Sequence, residues 1–189
     1  MNLKIFFELF DEGHANHILW EDTLRIDKPM VIVLTLHLMC ENFLEAWICS
    51  YVNIQDLFKE DLKGKDEKVK FNMPFQNKLK FAQRLGLPMP AYHAINKLNA
   101  IRNNFAHKLN FNVIENSQIK SISDYVESIK SESISHTLEQ EGIEVYSESG
   151  EIEKRYLFSD ITTPNTVKLV IMYGFLIRKL ICDIRLLKK

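Results

Sequence analysis

The side chains best suited to chemistry are Arg102, Asn103 and His107, within residues 98–109 (LNAIRNNFAHKL). A helix turning about 100° per residue would place Asn103 and His107 about 100° and 140° from Arg102. Asn99 would lie about 60° away on the same side. A permanent guanidinium cation beside an imidazole, which titrates near neutral pH, suits a reacting phosphate. One interpretation of these residues is therefore chemistry on a phosphodiester.

The other side of the same predicted helix is apolar. Its members fall between about 260° and 340° from Arg102, and they are Ala94, Leu98, Ile101, Phe105 and Leu109. One side is therefore expected to pack against the protein, while the polar side surrounds a small residue, Ala106. A solvent-exposed helix face would show the same periodicity, so the pattern alone leaves both interpretations open.

A second candidate lies upstream, where His37, Glu41 and Glu45 follow one another at intervals of four residues. This spacing puts them on one face of an otherwise apolar helix. One interpretation is that Glu41 or Glu45 faces the later helix and orients Arg102 or His107. The other is a solvent-facing row in which His37 and Glu41 form an ordinary i,i+4 pair.

Basic residues and metal ligands give weaker signals. Lys78, Lys80 and Arg84 could form a basic edge near the predicted site, or an ordinary solvated helix face. The pair His14 and His17 has metal-ligand spacing but no nearby partners. Glycine-rich phosphate loops, nucleophile elbows and zinc-ribbon spacings are absent from the sequence. We therefore expect neither a cofactor nor a metal.

The run from Phe75 to His107, FQNKLKFAQRLGLPMPAYHAINKLNAIRNNFAH, resembles a known family. Its Arg-Asn-x-x-x-His ending is similar to the R-x4–6-H signature of the HEPN superfamily of helical ribonucleases and RNA-binding proteins. The segments Ala82–Leu87 and Ile101–His107 look like the mannitol-repressor-like branch of that superfamily, and so does the apolar helix Met30–Ile48. The resemblance covers roughly residues 28–110.

The resemblance implies a metal-independent endoribonuclease without a cofactor. The ribose 2′-OH would attack the neighbouring phosphate and leave a 2′,3′-cyclic phosphate. His107 would act as general base or acid, Arg102 would stabilise the phosphorane, and Asn103 would orient His107. Glu41, Glu45 and Asn99 would support the site. Members of the family commonly join two motifs across a homodimer interface and serve as toxins, with antitoxin partners, or in anti-phage defence.

A non-catalytic function stays open beside the enzymatic one. Mannitol-repressor-like proteins are described as transcriptional regulators, and this sequence has no recognisable helix-turn-helix motif. In that case the Arg102, Asn103 and His107 face would be an interaction surface, or a buried polar knot that holds helices in register.

The apolar periods predict a mostly α-helical fold, an HEPN-like bundle of four or more helices with a small β-hairpin near residues 142–158. The expected long helices cover about 28–53, 90–110 and 164–187, and a shorter one covers 75–85, ended by Gly86. Residues 121–140 are polar and at best amphipathic. We expect one domain over residues 1–189, with its core at about 28–110 plus the last helix.

Bulk properties are typical of a cytoplasmic protein. The formal net charge is −1, so RNA binding would need a local basic patch or a dimer groove. Three cysteines without CxxC spacing indicate reduced thiols. The longest apolar run, Leu169–Ile177, is nine residues, too short to span a bilayer, and the N-terminus does not resemble a secretory signal. The sequence thus predicts no membrane partner.

Overall fold

The computed structural model describes residues 1–14, 28–58, 72–107, 113–147 and 149–186. Within these ranges the chain is mostly α-helical with one small two-stranded sheet, which confirms the predicted fold class. The elements are α1 (Leu3–His14), α2 (Pro29–Val52), α3 (Phe75–Arg84), α4 (Met89–His107), α5 (Asn116–Ser128), a 3₁₀ turn (Leu138–Gln140), β1 (Gly142–Tyr146), β2 (Ile152–Leu157) and α6 (Asn165–Leu186).

The central element is α2, which contacts α1, α3, α4 and α6. A helix surrounded on several sides must be apolar over most of its circumference, and α2 buries twelve of its residues. Pro29 stands in its first turn, where the missing N–H costs no hydrogen bond. Asn53 ends it in the left-handed conformation (φ 60°) and donates its backbone N–H to the carbonyl of Cys49.

One helix in the described part of the chain, α2, is long and apolar enough to cross a membrane by length and composition. Its most apolar stretch is 56% buried within the protein. This is weak evidence, because the core helix of a soluble protein has the same properties. The expectation of a chain without a membrane partner therefore stays a prediction.

A tight turn sets α4 against α3. Gly86 adopts φ +97°, a conformation that side chains disfavour, and its N–H bonds the carbonyl of Gln83. The N–H of Leu87 reaches back to the carbonyl of Ala82 (3.0 Å), and Leu87 is buried. Gly86 therefore ends α3 as predicted, and the reversal brings the polar faces of α3 and α4 together.

The C-terminal third of the chain packs onto this core through α5 and α6. The segment predicted as at best amphipathic contains a regular helix, α5, which buries Ile119, Ile122 and Val126. Lys179 of α6 is itself buried and donates from Nζ to the carbonyls of Val126 and Ile129, both at 3.1 Å. A buried cation thus satisfies the last carbonyls of α5, where the helix dipole favours positive charge.

The predicted hairpin forms between β1 and β2, antiparallel, with Gly142 opposite Leu157 and an irregularity after Val145. Just before it, the buried carboxylate of Glu141 hydrogen-bonds Nε2 of His136 (2.5 Å) and pairs with Arg178 of α6. These contacts attach the base of the hairpin to α6.

Buried apolar side chains from all six helices in the described part of the chain belong to one hydrophobic cluster. Representative members, one from each helix in order, are Phe6, Phe43, Leu79, Ile95, Ile122 and Phe175. The expectation of a single domain is compatible with that cluster and stays a prediction.

Candidate functional site

The side chains of α4 are buried or exposed as the angles of an ideal helix predict. Leu98, Ile101 and Phe105 are 6%, 2% and 7% exposed, and they face the hydrophobic cluster. Arg102 is half-buried and His107 is exposed. Leu109, which the sequence placed on the apolar side, lies outside the described residues. The polar side of α4 therefore carries side chains that the packing of the helix does not require.

Arg102 and Asn103 contact each other directly. The guanidinium donates from Nη1 to Oδ1 of Asn103 (3.1 Å), and both side chains are half-buried. Nε of Arg102 is buried and has no hydrogen-bond partner among the groups that the structure describes. The resemblance assigned Asn103 to the orientation of His107, but its observed partner is Arg102, because a carboxamide oxygen is a natural acceptor for the adjacent guanidinium.

Three helices meet in a chain of side-chain hydrogen bonds, here called the polar seam: His37, Asn99, Gln76 and Asn96. Nε2 of His37 lies 3.1 Å from Oδ1 of Asn99. Nδ2 of Asn99 donates to Oε1 of Gln76 (3.3 Å), and Nε2 of Gln76 donates to Oδ1 of Asn96 (2.9 Å). Asn99 thus joins His37 of α2 to Gln76 of α3.

His37 lies in a partly buried position beside Arg102. Its ring stacks on Phe75 of α3, with centroids 4.3 Å apart. Burial and the nearby Arg102 guanidinium lower the pKa of His37, against weaker opposing effects of Glu41 and the Asn99 hydrogen bond. These effects therefore favour the neutral imidazole.

Glu41 and Glu45 do not take the role that the sequence suggested. Both carboxylates bind the ammonium of Lys78 on α3, with Nζ 2.6 Å from Oε1 of Glu41 and 2.5 Å from Oε1 of Glu45. Phe58 lies under the same ammonium at 5.1 Å from its ring centroid. The row faces solvent only in part, because the two carboxylates are 27% and 30% exposed and bind a buried cation of α3.

Lys78 therefore does not belong to the basic edge that the sequence suggested, because it is buried and paired with Glu41 and Glu45. Lys80 and Arg84 are exposed, and with the exposed ring of Phe81 they line an open depression on the outer face of α3. Two cations and an aromatic ring without a carboxylate are a surface that could contact a polyanion, although a solvated helix face has the same composition.

Metal binding and cysteine chemistry find little support among the described residues. Among the described residues, no three His, Cys, Asp or Glu side chains come together as metal ligands would, and the side chains of His14 and His17 lie outside that part of the chain. All three cysteines are free. Burial raises the pKa of the Cys40 thiol to about 12 and that of Cys49 to about 11, so both stay protonated and poorly nucleophilic.

The sequence pattern singled out Arg102, Asn99 and the i,i+4 row of α2, but it did not pair His37 with Asn99 or Glu41 with Lys78. Spacing identifies the face of one helix, whereas the partner depends on how the neighbouring helix is rotated. No protein-family model, curated protein or solved structure matches this chain.

Proposed function

We propose that the chain is a metal-independent endoribonuclease of the HEPN type, acting through Arg102 and His107 on α4. The observation that supports it best is the division of α4 into a packed side and a polar side. Arg102 and His107 lie on the side that leaves Ile101 and Phe105 in the core. A cation and an imidazole that the core does not need are free to act on a ligand.

The roles follow the chemistry of the side chains. Arg102, held at Nη1 by Asn103, would neutralise charge on the pentavalent phosphorane. His107 would transfer a proton, as base to the 2′-OH or as acid to the departing 5′-oxygen. The two Cα atoms are separated by about 7.5 Å along the helix axis at 1.5 Å per residue. Because the two residues also lie about 140° apart around the helix, one phosphodiester would contact both where the long side chain of Arg102 bends toward His107.

The test is cleavage of total RNA and defined oligonucleotides in EDTA, with the product ends analysed. Wild type should leave 2′,3′-cyclic phosphates, while His107→Ala and Arg102→Ala should lose about 10²-fold or more in rate. His93→Ala is the matched control, since His93 lies on the same helix about 13.5 Å along its axis from Arg102 and stacks on Tyr125. Wild-type protein that leaves RNA intact would refute the proposal.

The oligomeric state and cellular role that the resemblance implies are also part of this proposal. A homodimer would bring two copies of the site together and would create the basic groove that a net charge of −1 does not supply on one chain. The protein would then act in the cytoplasm as a toxin, opposed by an antitoxin, or in defence against phage.

A second candidate is a non-catalytic regulatory or protein-interaction domain of the mannitol-repressor-like kind. The polar seam supports it, because hydrogen bonds that join α2, α3 and α4 are what a polar knot for helix register requires. Under this hypothesis Asn99→Ala would destabilise the fold, and neither wild type nor any variant would cleave RNA. The same cleavage assay therefore separates the two functions.

A further inference from the structure

The charge of Arg102 acts on the imidazole of His37, a residue that the sequence pattern did not assign to the reaction. We infer that His37 is the general base of the proposed ribonuclease, held by Asn99 next to Arg102, and that His107 is the general acid. This inference rests on the ribonuclease proposed above and divides its proton transfers between two residues.

The hydrogen bonds determine which ring nitrogen of His37 can accept a proton. Nδ2 of Asn99 is engaged by the Oε1 of Gln76, so the oxygen of Asn99 is the atom that faces His37. An amide oxygen only accepts, and Nε2 of His37 must therefore carry the hydrogen. In the neutral ring Nδ1 is then the basic atom, as a general base requires. Stacking on Phe75 fixes the plane of the ring.

The charges around His37 favour the neutral form. Arg102 on α4 and Lys78 on α3 disfavour a third cation, and Glu41, one turn along α2, opposes them. Lys78 is largely neutralised by its own carboxylates, Glu41 and Glu45. Burial is the largest effect that lowers the pKa of His37, and Arg102 adds to it, so the neutral base is favoured at neutral pH and is lost in acid.

The order of groups along α4 suits in-line displacement. His37 contacts α4 at Asn99, Arg102 follows about 4.5 Å further along the axis, and His107 about 7.5 Å beyond that. Side chains of a helix lean toward its N-terminus, which brings the ring of His107 back toward Arg102. Along the helix axis, a phosphate bound by the long side chain of Arg102 would thus lie between the two imidazoles, as attacking and leaving oxygens in line require, with that side chain spanning the angle of about 140° between Arg102 and His107.

The proton and bond changes balance without a metal or co-reactant. The 2′-OH gives its proton to Nδ1 of His37 as the 2′-oxygen bonds phosphorus. The bond from phosphorus to the 5′-oxygen breaks, and that oxygen takes a proton from the imidazolium of His107. Solvent water then returns both histidines to their starting forms, and the RNA is left as a 2′,3′-cyclic phosphate and a 5′-hydroxyl.

The test is the pH profile of kcat/KM for RNA cleavage in EDTA, for wild type, His37→Gln and Asn99→Asp. Wild type should lose tenfold per pH unit below the lowered pKa of His37. His37→Gln keeps a donor to Asn99 but no base, so it should fall about 10²–10⁴-fold and lose this acidic limb. A carboxylate at residue 99 favours the imidazolium, so Asn99→Asp should move the limb to higher pH.

The control is His93→Gln, which replaces another half-buried, ring-stacked histidine of the same protein and should keep the wild-type profile. Wild-type rate and an intact acidic limb in His37→Gln would overturn the inference and leave the ribonuclease standing. If His37→Gln does not fold, the Asn99→Asp variant decides instead. The inference is overturned if the acidic limb of its kcat/KM profile lies at the same pH as that of wild type. Wild type that cleaves no RNA refutes the proposed function, and this inference with it.

Discussion

Replacing Lys78 with methionine should destabilise the protein strongly, although the change adds no bulk and removes no apolar surface. Lys78 has a side chain only 8% exposed, and it neutralises Glu41 and Glu45, which are 27% and 30% exposed. Removing one partner of a buried ion pair typically costs about 3–5 kcal/mol, because the remaining charge is left uncompensated. Water still reaches part of both carboxylates, so we expect a loss near the lower end, about 3 kcal/mol.

For a chain of 189 residues, each kcal/mol lowers Tm by about 2–4 °C, so Lys78→Met should melt about 6–12 °C below wild type. Urea unfolding at pH 7 measures the free energy directly. The matched control is Lys80→Met, an exposed lysine two residues away on the same helix, which should stay within about 0.5 kcal/mol of wild type. Adding Glu41→Gln and Glu45→Gln to Lys78→Met should recover part of the loss.

A loss for Lys78→Met no larger than that of Lys80→Met would refute this reasoning, because the three charges would then behave as an ordinary surface ion pair. The pH dependence gives a second check. Burial alone lowers the pKa of Lys78, but the hydrogen bonds and charges of Glu41 and Glu45 raise it above its ordinary value. The stabilisation is then complete below the unfolded pKa of about 10.4 and is lost as pH rises through the folded pKa. The difference in unfolding free energy between wild type and Lys78→Met should therefore narrow as pH rises through that range.

Three further outcomes are expected. Ile101→Ala should cost about 2–5 kcal/mol in urea unfolding, whereas the exposed His107→Ala should stay within about 0.5 kcal/mol; equal losses would contradict the two-sided α4. Wild type should lose stability as pH falls below about 6.5, because the folded pKa of His37 is lowered, and His37→Gln should lose less. Lys179→Met should speed amide exchange at the end of α5, whose Val126 carbonyl it binds; unchanged exchange would contradict its capping role.

The sequence by itself determined most of the elements and their faces, but it did not predict the regular helix α5. Periodicity gave the long helix α2 and the packed side of α4, because residues three and four apart share one face of any helix. Gly86 marked the end of α3, since the turn needs a positive φ that glycine adopts freely. The alternation around residues 142–158 gave the hairpin. These features depend on local backbone geometry, which residues close together in the sequence determine.

Only the tertiary structure decided which polar groups meet. Lys78 looked like part of a basic surface, and Glu41 looked like a partner for Arg102 or His107. The rotation of α3 against α2 placed Lys78 between Glu41 and Glu45 instead. In the same way the approach of α4 to α2 set Asn99 against His37. Spacing along a chain fixes the direction of a side chain relative to its own helix, whereas a contact between helices depends on the packing of the whole core.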